Sequence, residues 1–293
     1  MGRSAFLPYL VALAVATSGC TNLGAVREFA ATSADLTDYK VVTQRYVTSA
    51  ERQLAEVPAS TAFDGTRRGL LNLQATTARD KESLLKLHAV TTGYMAALAS
   101  LADEDAYELS PEIDEVTGAI AESKQLNLTS EHVAAYGNIV KRVASWATAA
   151  KQARDVRRMV RTYGADMDRL LEAMQVATAA YGFTFMEEAN NTAAFDRVRE
   201  AAWRSKLAGD TEVTTERREV ITTLLRRSST ADRAAQAEAM KRQQVAARGL
   251  AKVRETHQKL MDNIDHLDRE EVKTLLRQAA ADLKSVRKSL AQL

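Results

Sequence analysis

Four histidines, one cysteine and a pair of adjacent glutamates are the residues with which this 293-residue chain could do metal or nucleophilic chemistry. The histidines, His88, His132, His257 and His266, are spread along the chain. His257 and His266 lie nine residues apart, which sets them about 180° from each other round a straight helix, so no shared metal is expected. Glu131-His132 lacks a second histidine at metal spacing. Glu187-Glu188 would suit a di-iron bundle only beside Glu-x-x-His motifs, and no histidine lies three residues after a glutamate. Cys20 is the only cysteine, which excludes an intramolecular disulfide. There is no G-x-S-x-G, no Gly-rich phosphate loop and no H-E-x-x-H. Neither catalysis nor a cofactor is expected from these residues.

The elements that would position them are helices. The chain has 52 alanines, 12 glycines and three prolines, and 46% of it is hydrophobic but only 5% aromatic. Those proportions exclude a disordered chain and a disulfide scaffold, and they argue against a β-sandwich. Pro8, Pro58 and Pro111 leave the last 182 residues without a proline, so long helices are expected there. A first helix is predicted over 23–57, with Leu36, Tyr39, Val42, Tyr46, Ala50, Leu54 and Val57 stepping by three and four. A second, over 66–103, has a strict seam from Leu70 through Leu73, Thr77, Asp80, Leu84, Leu87, Thr91, Tyr94 and Leu98 to Leu101. Ser110-Pro111 opens a short helix ending near Gln125. Thr129 or Ser130 caps another reaching about Tyr163, where Gly164 would break or bend the chain. Further helices are predicted over 165–207 and from 211 onward, with an interruption near 265–268. The fold class is all-α: an elongated bundle of about six long, mostly antiparallel helices.

Two polar residues fall on these apolar seams, Asp80 and His257. Such residues can fix the register of a bundle, or they can be ligands in a pocket between helices. Charge is uneven along the chain. Seven acids crowd 103–115 without a base, but Tyr107 and Glu108 spoil a calcium-loop pattern. Arg154, Arg157, Arg158 and Arg161 form a basic stretch, read either as a solvated helix face or as a patch facing an acidic partner or lipid headgroups.

The first twenty residues, MGRSAFLPYLVALAVATSGC, have one positive charge at Arg3, an apolar run too short to span a bilayer, and small residues before Cys20. At Ser18-Gly19-Cys20 the segment resembles a bacterial lipoprotein signal; Thr17 stands where that family usually has Leu or another aliphatic residue. The resemblance implies that the Cys20 thiol receives a diacylglyceryl group, that residues 1–19 are removed and that the new amine is acylated. Thr21 at the second mature position, rather than Asp, resembles sorting to the outer membrane of a Gram-negative cell. Two or more acyl chains would anchor the body stably. Removing the signal leaves 39 basic and 38 acidic residues, so nucleic acid is not an expected partner.

The sequence thus reads as a lipid-anchored envelope protein facing the periplasm, whose partners are the membrane, through lipidated Cys20, and another envelope protein. The alternative reading is a ligand-binding bundle holding a small molecule or metal between helices near Asp80 or His257. Residues 20–293 form the mature bundle, which is either one unit or two sub-bundles divided near 104–130.

Overall fold

The structure is a computed structural model, and it describes residues 23–35, 37–102, 118–146, 153–209 and 214–292. The described residues are overwhelmingly helical. The helices are α1 (Gly24–Ala34), α2 (Thr37–Val47), α3 (Ser49–Glu56), α4 (Asp64–Leu101), α5 (Ser130–Trp146), α6 (Ala153–Gly209), α7 (Thr215–Asp262) and α8 (Glu270–Ala291). At 1.5 Å per residue the 57 residues of α6 span about 86 Å. An elongated all-α bundle is therefore the fold. Residues 1–22, with the signal and Cys20, and Ser110-Pro111 lie outside the described residues.

Helix α4 is the central post. Its seam faces inward as predicted, every member from Leu70 to Leu101 being buried except half-buried Leu73. Beyond Val90 nearly every side chain is covered, because α1, α5 and α6 pack around that end. One apolar cluster joins residues of α1, α2 and α4 to α8, including Phe29, Tyr46, Leu98, Ile139, Leu171, Val253 and Leu276. Ion pairs tie the layers at the surface: Arg254 of α7 forks onto Asp168 of α6 at 3.0 Å and reaches Glu172, while Lys284 and Arg287 of α8 meet Glu28 and Asp35.

Several predicted boundaries are corrected. The single helix expected over 23–57 is three helices. Thr32 and Ser33 bond back to carbonyls four residues earlier near the end of α1, and Thr48 does the same between α2 and α3. Such bonds compete with the helix backbone. The breaks let α1 lie against α8 while α3 turns onto α6. The inward seam survives them, since Tyr39, Val42, Tyr46 and Ala50 remain buried.

The helix expected to end near Gln125 does not reach that far. Residues 123–128 form a tight turn closed by Ser123 and Leu128, which exchange backbone hydrogen bonds of 3.1 and 2.9 Å. Asn127 there takes the left-handed conformation at φ 52°, which asparagine tolerates.

Gly164 does not break the chain, for α6 runs straight through it. Its role is close packing: a Cβ at that position would stand 2.6 Å from the sulfur of Met261 on α7. Replacing it with a branched residue should overpack this crossing. Gly164→Leu is expected to cost about 1–3 kcal/mol in urea denaturation, and an unchanged midpoint would show that the crossing is loose.

The break after α7 falls where the sequence placed it. A single 3-10 turn, Ile264–His266, leads into α8.

Candidate functional site

The seam histidine His257 is fully buried. Its Nε2 lies 3.3 Å from the Tyr94 hydroxyl, and the two rings meet edge to face at 5.6 Å. Its Nδ1 is buried without a hydrogen-bond partner. Burial pushes the imidazole pKa down to about 4. A second buried histidine, His88, sits one layer away on α4. The Thr43 hydroxyl lies 3.0 Å from its Nε2, Tyr39 packs on its ring at 4.2 Å, and burial pushes its pKa down to about 3. Tyr181 stacks on Tyr46 at 4.4 Å and bonds Thr43 at 3.3 Å, while Tyr39 donates to the Met174 carbonyl at 3.1 Å.

This set of tyrosines, histidines and threonines joins α2, α4 and α6 round His88, and α4 to α7 at His257. Its histidines stay neutral at neutral pH, and burial drives the phenols of Tyr39, Tyr46, Tyr94 and Tyr181 well above their ordinary pKa. The groups are packed against one another. Neither the cleft between the far ends of α6 and α7 nor the one between α4 and α6 is lined by Asp80, His88 or His257. Packed polar groups of this kind can fix the register between helices. No group of three or more potential metal-ligating side chains occurs among the described residues.

Asp80 is also buried, and it faces the 118–129 loop. Its Oδ2 accepts a 3.1 Å hydrogen bond from Ser123, whose own oxygen accepts from the Leu126 amide. Ser83 and Lys86, on the same flank of α4, bond the Ala121 amide and the Ala119 carbonyl. Burial raises the Asp80 pKa, and the Ser123 bond works against that rise. Asp80 therefore holds a loop in place and lies far along α4 from His257's neighbour Tyr94; the structure does not bring the two seam residues together.

A third polar centre is not evident from the sequence, where Glu188 stands out only as half of the adjacent pair Glu187-Glu188. Glu188 of α6 is buried and accepts four hydrogen bonds: from Arg45 Nη2 at 2.9 Å, Arg52 Nε at 2.9 Å, Arg52 Nη2 at 2.8 Å and Ser49 Oγ at 2.7 Å. Gln53 extends the network, donating to Ser49 at 3.2 Å and accepting from Asn191 at 2.8 Å. The signal available was a polar stripe, Arg45, Ser49, Arg52 and Gln53, running beside the apolar seam at helical spacing.

The members of the basic stretch differ in their surroundings. Arg161 is paired with Asp265, Arg157 is half-buried with an unpartnered Nε, and Arg158 is exposed; the side chain of Arg154 lies outside the described residues.

Some of the exposed apolar side chains stand at the far end of α6 and α7. After Phe195, α6 buries only Leu207, and α7 buries nothing before Gln236. These ends pair chiefly with each other and project as a two-helix arm. Trp203, Val220 and Leu224 on it are 37%, 57% and 59% exposed. A cleft of about 240 Å³ opens between the two helices there, lined by Trp203, Leu207 and Leu225 among others. No helix among the described residues is long and apolar enough to cross a membrane. No protein-family model, curated protein or solved structure matches the chain.

Proposed function

We propose that this chain is a lipid-anchored helical protein of the bacterial envelope, held at the outer membrane by acylated Cys20 and facing the periplasm. It works without catalysis, by binding another envelope protein through the α6–α7 arm. The observation that carries the binding role is the exposure of Val220 and Leu224, one turn apart on α7, and of Trp203 on α6 of the same arm. Exposed apolar side chains on an otherwise charged helix surface mark interaction sites, and tryptophan is a frequent anchor in them. The sequence resemblance at Cys20 supports the anchor.

Two measurements test this reading separately. Metabolic labelling with a palmitate analogue should mark the wild-type chain and leave Cys20→Ala unlabelled; equal labelling would refute the anchor. A photocrosslinking residue placed at Leu224 in the full chain should give one discrete protein adduct in the envelope. Val220→Glu should reduce that adduct about tenfold without shifting the melting temperature. Adducts to lipid alone would mean that the arm contacts the membrane, and a diffuse set of adducts would remove the case for a specific partner.

A further inference from the structure

A cleft of about 400 Å³ opens between α4 and α6, well away from the arm, and its walls have a distinctive chemistry. Four of its lining side chains are carboxamides: Gln53 from α3, Gln125 and Asn127 from the 123–128 turn, and Asn191 from α6. Phe183 lines the same cleft and is 63% exposed, the most exposed large apolar side chain described. Glu187 is the one charged residue among those that line it.

We propose that this cleft binds a short neutral saccharide. Each sugar hydroxyl is a donor and an acceptor at once, and a carboxamide offers both in a fixed plane, so the amides of Gln125, Asn127 and Asn191 match neighbouring hydroxyls while Gln53 holds Asn191 in place. The C–H face of a pyranose is apolar and fits the face of an exposed aromatic ring such as Phe183. With no Lys, Arg or His among the lining residues, the cleft has nothing to neutralise a phosphate or carboxylate, which disfavours anionic ligands. The volume suits a small ligand held by a few placed polar groups.

The walls are fixed before any ligand arrives. Gln53 is buried, and both ends of its amide are engaged, by Asn191 at 2.8 Å and by Ser49 at 3.2 Å. Ser49 is in turn held by Glu188. On the opposite wall, Asp80 holds Ser123, and the paired backbone of Ser123 and Leu128 frames the turn that presents Gln125 and Asn127. Asp80 and Glu188 are thus positioning residues for the cleft, which gives both buried carboxylates a common purpose.

The test is isothermal titration of the detergent-solubilised full chain with N,N′-diacetylchitobiose, cellobiose and maltose, using sodium phosphate and spermidine as charged probes. At least one disaccharide should bind saturably, and phosphate should not bind. Phe183→Ala and Gln125→Ala, both at exposed positions, should each weaken that binding about tenfold while leaving the melting temperature unchanged. Failure of all three sugars to bind overturns the proposal, as does undiminished binding by Phe183→Ala. Binding of phosphate or spermidine alone would also overturn it. None of these outcomes touches the arm or the anchor, so the two readings stand or fall independently.

Discussion

Lowering the pH from 6.5 to 4.5 should remove about 4–5 kcal/mol of stability from this bundle through two histidines alone. The unfolded chain takes up protons near the ordinary histidine pKa of 6.5, whereas His88 and His257 resist them down to about 3 and about 4. Both folded values are depressed, so the stability these residues contribute is fully present above pH 6.5 and is lost as the pH falls towards the folded values. In that window each neutral buried imidazole costs roughly 1.4 kcal/mol per pH unit relative to the unfolded state. His132, whose pKa is also lowered by burial, acts in the same direction.

The cause is geometric. His88 and His257 sit among Tyr39, Thr43 and Tyr94, with one ring nitrogen of each buried and unpartnered, so a second proton would find no acceptor. Urea midpoints measured at several pH values in this range should fall steeply for the wild type and about half as steeply for His257→Gln. Equal slopes would show that the histidines are not the titrating groups. Comparing the two chains cancels the carboxylates that begin to titrate at the lower end.

The second large effect is expected at Glu188. Glu188→Leu should destabilise the chain by about 3 kcal/mol, towards the lower end of the range for breaking a buried ion pair. The arginine side chains are 26% and 31% exposed, against 4% for the glutamate, so part of the cost is recovered when they turn to water. What remains are two cations on adjoining helices and a buried Ser49 hydroxyl that has lost its acceptor. The melting temperature should drop by about 6 °C or more. Removing an exposed pair such as Arg242–Glu238 should cost under about 1 kcal/mol. Adding Arg45→Met and Arg52→Met to Glu188→Leu should restore much of the loss, because an apolar replacement of the whole cluster leaves no charge uncompensated. A triple variant less stable than Glu188→Leu would show that the arginines stabilise the chain by packing rather than by charge.

The clamp matters beyond stability. It sets α3 against α6, and through Ser49 and Gln53 it orders one wall of the amide-lined cleft. Asp80 orders the other. A single buried carboxylate on each of two long helices therefore decides where flexible polar side chains stand.

The helical architecture was legible in the sequence because it rests on local causes. Alanine-rich composition, the missing prolines and the three-four spacing of apolar residues act within a few turns, and the α4 seam from Leu70 to Leu101 could be read almost residue by residue. The buried positions of Asp80 and His257 followed from that same spacing. So did the turn after α7, whose break stands between Asp262 and Glu270.

The tertiary structure decided what local spacing does not contain. Gly164 reads as a helix breaker but is the small residue that lets α7 approach α6, since its reason for being there is Met261, almost a hundred residues on. The first predicted helix is cut into three: all three pieces lie on α4, and the breaks let α1 also cover α8, α2 cover α7 and α3 cover α6. Glu188 meets Arg45 and Arg52 across more than 130 residues of chain, and the cleft gathers side chains from Gln53 to Asn191. Periodicity shows which face of a helix turns inward; which partner it finds there depends on how the helices pack, and only the assembled bundle sets that.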